Sequence, residues 1–182
     1  MQYSYKLNAE DYTFYYTYNA SKSERLQKRR KQTRLFALLA CVPIAGIYLY
    51  QDMLLLGFGF LGIGLLWFIL LPRFDVRMYK KNFEKYVEQN HQGDFDDKLT
   101  ITLNDKHCVL KSKAGEAKFG LDQIQGLEGT GTHYFIFMDN GQSLAIPCDL
   151  DSADQQNLIN HLSQHLQEAG KTVLMLDEWE WK

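Results

Sequence analysis

The sequence predicts an α+β membrane protein, in which a two-helix transmembrane hairpin is joined to a small cytosolic antiparallel β domain capped by a C-terminal helix. Three observations predict it. Residues 35–72 are almost wholly apolar, residues 98–146 alternate in short segments, and residues 152–169 have the pattern of an amphipathic helix. The net charge of −2 over 182 residues indicates no nucleic-acid partner.

The apolar segment 35–72 predicts the hairpin. Its only charged or amide residues are Gln51 and Asp52, which divide it into arms 35–50 and 53–71. A membrane-spanning helix needs about 20 apolar residues. The alternative is a buried hairpin in a soluble core, but a chain of this length could hardly cover so much apolar surface. The sequence therefore predicts two spans in a lipid bilayer.

Basic residues on both outer flanks of this segment predict its orientation. The interior turn at 50–52 has no basic residue, and loops rich in Lys and Arg stay on the cytoplasmic side. We therefore expect both termini in the cytoplasm. The topology determinants are Arg25, Lys28, Arg29, Arg30, Lys31, Arg34, Arg73 and Arg77.

Small residues within the hairpin predict close helix packing. Ala37, Cys41 and Ala45 recur every four residues and form a candidate seam against the second helix or a second copy of the chain. The glycines of 57–62 fit a dinucleotide-binding pattern, but that pattern requires a strand before it. Inside a spanning helix they indicate close approach instead.

The segments flanking the hairpin divide the rest of the chain. Residues 1–34 predict a short strand, a helix capped by Asn8 and a basic juxtamembrane run. Residues 73–93 predict an amphipathic connecting helix. This helix lies either in the lipid headgroup layer or against the β domain, and the sequence favours neither.

Residues 94–182 predict the cytosolic β domain. Ser152 and Gln155 form a capping box that begins the last helix, and Gly170 ends it. A further strand is predicted at 172–176. The predicted strands are 98–103, 107–112, 116–120, 123–130, 132–138 and 142–146, with turns at 104–106 and 139–141.

The order of these parts resembles the bacterial YcxB-like membrane protein family. The resemblance depends on the strand pair 119–129, the runs 134–137 and 144–147, and a helix start at 151–152. It implies a β domain similar to bacterial pleckstrin-homology-like domains, a curled sheet or barrel. It also implies a bacterial inner-membrane location, and it brings no established activity or catalytic residues.

Metal-ligating and nucleophilic side chains are present without complete sets. His161 and His165 are one helical turn apart but lack a third ligand, and we expect them at the solvent edge. The aspartates of 94–97 could bind a cation, but a solvated linker is favoured. We expect Cys108 and Cys148 to be small core residues. We expect no cofactor, no metal and no enzymatic activity.

The C-terminal tail contains Trp179 and Trp181. Two tryptophans near a terminus are seldom left exposed to solvent without a reason. Either they anchor the tail on the domain, which we favour, or they form a short recognition peptide.

Two functions stay open. The first is a membrane-anchored interaction or adaptor module that binds a protein partner or another copy of itself. The second is a lipid- or small-ligand-sensing domain. Its candidate anionic-ligand patch is Lys106, Lys111, Lys113 and Lys118.

Overall fold

A computed structural model describes residues 1–95, 97–104, 106–149 and 152–181. Asp96 of the acidic boundary, Asp105 of the predicted turn and Asp151 of the predicted helix start lie outside the described residues. In chain order the elements are β1 (Gln2–Lys6), α1 (Ala9–Lys22), α2 (Glu24–Tyr50), α3 (Leu54–Asn90), β2 (Lys98–Leu103), β3 (His107–Ser112), β4 (Gly115–Gly120), β5 (Ile124–Gly129), β6 (His133–Met138), β7 (Ser143–Pro147), α4 (Ala153–Glu168) and β8 (Thr172–Met175).

The chain forms two compact units. The β unit comprises Met1–Tyr15 with Val87–Glu180, and the hairpin unit comprises Tyr16–Tyr86 with Trp181. The predicted β domain, 94–182, is therefore incomplete, because β1 from the predicted N-terminal segment pairs with β2. The apolar residues of β1 alternate, so one face of the strand must be buried. Pairing with the edge of β2 places that face on the core.

The β unit contains two four-stranded sheets. The first has the order β1-β2-β3-β4, and the second has the order β7-β6-β5-β8. All pairs are antiparallel except β5 with β8. Among the described residues neither sheet closes, so the strands predicted as one curled sheet form two open sheets.

One apolar core fills the β unit. Tyr3 and Tyr5 enter it from alternate positions of β1, and Leu7 follows them. Full burial of such a side chain contributes roughly 1.5–3 kcal/mol, which makes β1 a large part of the stability of a small unit. The other core residues are Ile101, Leu103, Cys108, Phe119, Leu121, Ile124, Leu127, Ile136, Leu144, Ile146, Leu158, Ile159, Leu162 and Leu166.

Side-chain caps begin the helices where the sequence predicts them. The Asn8 Oδ1 accepts hydrogen bonds from the backbone N–H of Glu10 and Asp11, at 2.8 and 3.0 Å. The Ser152 Oγ accepts from the N–H of Gln155. The reciprocal half of that capping box is replaced, because the Gln155 side chain bonds the N–H of Asp149 and the carbonyl of Pro147.

The hairpin turn falls at Gln51-Asp52, as predicted. Asp52 has φ +58°, a conformation that aspartate tolerates better than most residues. The N–H of Asp52 donates to the carbonyl of Leu49, and the N–H of Met53 donates to that of Tyr48. These two bonds make a Schellman motif, which pairs carbonyls that the end of α2 would leave unsatisfied.

The predicted connecting helix at 73–93 is not a separate element, because α3 continues through Pro72 to Asn90. A proline removes one hydrogen bond from a helix. The bonds on either side continue the helix, so its apolar and amphipathic parts form one continuous element of 37 residues.

Helices α2 and α3 are long and apolar enough to cross a membrane. Only 6% and 11% of their most apolar 18-residue windows are buried. Large side chains such as Phe36, Leu55 and Phe58 are exposed. The core helix of a soluble protein buries such residues.

Candidate binding surfaces

The outer side of the first sheet carries a group of exposed lysines. Residues opposite each other in an antiparallel pair share a face. The register pairs Lys6 with Lys98, and it pairs Lys111 with Thr100. Lys118 follows on the same side opposite Val109. We call Lys6, Lys98, Lys111 and Lys118 the lysine face.

The lysine face has an unbalanced charge. Lys6 and Lys98 are directly opposite each other, and like charges in that position repel. Glu116 lies opposite Lys111 on the same side. Three of the four lysines thus have no acidic residue opposite them in the sheet, which gives an electropositive surface for an anionic group.

The lysine patch predicted from sequence is only partly brought together. Lys111 and Lys118 belong to the lysine face. Lys113 follows β3 in the turn, with its Nζ 3.8 Å from the Asp97 Oδ1, and the exposed Lys106 precedes β3. The sequence analysis did not include Lys6 and Lys98 in the patch. The alternation of β1 indicates Lys6, because it places this side chain on the strand face opposite to the core tyrosines.

A buried histidine links α1 to β6. The His133 Nε2 lies 3.0 Å from the Asp11 Oδ1, and its Nδ1 lies 3.1 Å from the Thr132 Oγ1. Phe14 stacks on the ring at 4.6 Å. The Asp11 Oδ2 also accepts from the N–H of Asn8. Because Phe14 covers the imidazole, this group joins elements within the β unit rather than forming an accessible acid–base site.

The tail tryptophans are held by aromatic and cationic neighbours. In the β unit, Trp179 packs edge-on against Phe14 with ring centroids 5.5 Å apart. In the hairpin unit, Trp181 lies over the Arg30 guanidinium, 4.9 Å from its Cζ, and next to Tyr79. Both tryptophans are half-buried. These contacts support the anchoring interpretation of the tail.

Two residues of the predicted small-residue seam, Cys41 and Ala45, lie next to glycines of α3. A Cβ added to Gly64 would lie 2.9 Å from the Cys41 Cβ, and one added to Gly57 would lie 3.3 Å from the Ala45 carbonyl oxygen. Ala45 is buried, whereas Ala37 is half-buried. Of the glycines in 57–62, Gly57 alone is in this contact, since Gly59 and Gly62 face open space.

The remaining candidate ligands stay dispersed. His161 is exposed and His165 half-buried on α4, as predicted for the solvent edge. No group of three or more metal-ligating side chains occurs among residues 1–95, 97–104, 106–149 and 152–181. Burial raises the pKa of the Cys108 thiol to about 12, which makes it an unreactive core side chain.

The basic flanks of the hairpin unit differ in burial. Arg30 is buried, and its Nη2 donates to the carbonyl of Pro72 at 3.3 Å. Its Nε lies 3.9 Å from the Asp75 Oδ2. Arg34 is half-buried. The other predicted topology determinants are exposed: Arg25, Lys28, Arg29, Lys31, Arg73 and Arg77.

Together these features define an α+β protein in which a two-sheet β unit with a basic face shares the chain with a pair of long, exposed apolar helices. No protein-family model, curated protein or solved structure matches the chain.

Proposed function

We propose that the chain is a non-enzymatic adaptor, anchored in a bilayer by α2 and α3, whose β unit binds an acidic protein partner through the lysine face. The observation that carries the anchoring is the exposure of the apolar side chains on two helices of spanning length. Such exposure is unfavourable in water and favourable in lipid.

The lysine face supports an acidic partner. Lys6 and Lys98 repel each other in the free protein, so an anionic side chain between them relieves that repulsion on binding. The threonines and Ser4 on the same side add hydroxyl groups, of which Ser4 Oγ and Thr100 Oγ1 are 2.9 Å apart. Complementary charge raises the rate of association and sets the choice of partner.

The experiment is native mass spectrometry of the full chain, gently extracted from the membrane of its host, with a charge-reversal pair. A stoichiometric protein partner is expected with the parent chain. It should be lost in Lys6→Glu/Lys98→Glu and kept in the control Lys81→Glu/Lys85→Glu, which reverses two exposed charges on α3. Equal loss in both variants, or no partner at all, contradicts the proposal.

The alternative proposal is a lipid- or small-ligand-sensing domain, and the unbalanced lysines favour it too. In the same spectra it predicts a protein monomer that carries a defined anionic lipid or small molecule. That molecule should disappear in Lys6→Glu/Lys98→Glu. The two proposals therefore differ in the mass of what is lost.

The proposed orientation places both termini in the cytoplasm of a bacterial inner membrane, as the basic flanks and the resemblance to the YcxB-like family imply. A reporter fused to the C-terminus should be active only in its cytoplasmic form. Activity of a reporter that works only in the periplasm reverses the orientation and leaves the two spans in place.

A further inference from the structure

Two arginines at the base of the hairpin unit are partly or wholly withdrawn from water. The side chain of Arg30 is 7% exposed, and that of its ion-pair partner Asp75 is 15% exposed. Arg34 follows one helical turn later and is half-buried. Its Nε is buried without a hydrogen-bond partner among the described residues. A buried N–H without an acceptor costs free energy, and the cost is larger when the group carries a charge.

Arg30 has partners at this place. Asp75 is a carboxylate that contacts it, with its Oδ2 3.9 Å from the Arg30 Nε. Trp181 and Tyr79 form the aromatic side of the cluster, with ring centroids 5.5 Å apart. The Arg34 Nε lacks an acceptor among the described residues, and an anion beside Arg34 would supply one.

The position of the cluster along the hairpin indicates which anion. Arg34 immediately precedes the apolar segment 35–72, and Asp75 comes three residues after its end. In an inserted hairpin these residues lie at the depth of the lipid headgroups, where tryptophan and tyrosine also concentrate. The planar guanidinium fork matches the oxygens of a phosphate.

We propose that Arg34, held beside the Arg30–Asp75 ion pair, binds a phosphate group, and that the headgroup of a phospholipid with net negative charge supplies it. The lipid source rests on the proposed membrane anchoring. The phosphate accepts a hydrogen bond from the Arg34 Nε and lies against the guanidinium charge of Arg34. Trp181 packs on Arg30 from the aromatic side of the same site.

Trp181 is a built-in reporter of this site. In a Trp67→Phe/Trp179→Phe background it is the sole tryptophan of the full chain. The chain is reconstituted in phosphatidylcholine vesicles that contain either brominated phosphatidylglycerol or an equal fraction of brominated phosphatidylcholine. We expect the phosphatidylglycerol to be preferred about tenfold, because the choline cation of phosphatidylcholine offsets the charge of its phosphate beside Arg34.

The matched variants are Arg34→Gln and Arg29→Gln. Both remove one charge from the same basic run of α2, but Arg29 is exposed. The preference should fall to near unity in Arg34→Gln and stay unchanged in Arg29→Gln. Arg34→Lys keeps the charge without the planar fork and should retain only part of the preference. Equal loss in Arg34→Gln and Arg29→Gln, or no preference in the parent, overturns the proposal.

Two further arms separate the possible causes of failure. In the complementary Trp179→Phe/Trp181→Phe background, quenching of Trp67 by either brominated lipid reports insertion of the apolar helices. A quenched Trp67 with no preference at Trp181 therefore refutes the phosphate site and leaves the anchoring intact. Inorganic phosphate is also added to the chain in zwitterionic detergent. A response of Trp181 that Arg34→Gln abolishes, without any lipid preference, overturns the lipid source and assigns the site to soluble phosphate.

Discussion

Replacing Tyr5 by phenylalanine should stabilise the β unit. The Tyr5 side chain is 6% exposed in the core, and its hydroxyl has no hydrogen-bond partner among the described residues. A buried polar group without a partner costs about 1–3 kcal/mol, so its removal from an unchanged ring should raise the free energy of unfolding by about 1–2 kcal/mol. That change corresponds to a roughly 5- to 30-fold lower population of the unfolded unit.

Hydrogen exchange measures the effect in the full chain. The amide protons of Ile101 and Leu103 in β2, next to β1, should exchange 5- to 30-fold more slowly in Tyr5→Phe, in line with the stability change. Tyr3→Phe is the control, because it removes the same atom from the same strand. Of the described tyrosines, Tyr5 alone has a buried hydroxyl without a partner. Exchange that is unchanged or faster in Tyr5→Phe, or equally slowed in Tyr3→Phe, refutes the reasoning.

The difference should widen at alkaline pH. Burial raises the pKa of Tyr5 above its ordinary value of 10.0, because the phenolate is poorly solvated in the core. Above pH 10 the unfolded chain therefore holds fewer protons than the folded one, and the parent loses stability by up to about 1.4 kcal/mol per pH unit. Tyr5→Phe lacks this titration. A constant gap between parent and variant from pH 8 to 11 contradicts the assigned burial.

Three further outcomes are expected. Gly64→Ala should weaken the packing of α2 on α3 by roughly 1–3 kcal/mol, because the new Cβ would lie 2.9 Å from the Cys41 Cβ. Gly59→Ala is the control and should not weaken it, because its new Cβ faces open space. Loss of helicity in a detergent titration compares the two variants. In the native chain a thiol reagent at pH 8 should modify the half-buried Cys148 and leave Cys108 unmodified until denaturation, since burial raises the pKa of Cys108 to about 12; equal rates contradict this. Residues 94–182 alone should fail to form a stable unit, because they lack β1 and its core tyrosines; a cooperative unfolding transition of that fragment would count against the fold described above.

Local chemistry made much of the architecture predictable. The cap at Asn8, the helix start at Ser152 and the turn at Gln51-Asp52 are set by residues within a few positions of one another. The strand alternation likewise depends on neighbouring residues. The boundary predicted between 72 and 73 followed a local change of composition, whereas the helical bonds continue across it in α3.

The candidate surfaces required contacts that are distant in sequence. Lys6 joins Lys98 only because β1 pairs with β2. Lys6 and Lys98 lie on opposite sides of the apolar segment 35–72 in the sequence, so counting charges along the chain did not reveal the lysine face. Sequence spacing predicts which residues share a face of one strand, but not which strand lies beside it.

By itself the sequence determined the two apolar helices, their turn, the basic flanks, the strand segments and the capped last helix. Each of these follows from periodicity, hydrophobicity or capping over a few residues. The tertiary structure alone decided that β1 completes the first sheet, that Asp11 meets His133, and that Asp75 and Trp181 meet Arg30. These contacts join residues far apart in the chain, because burial of apolar surface and pairing of buried polar groups are satisfied by the whole fold.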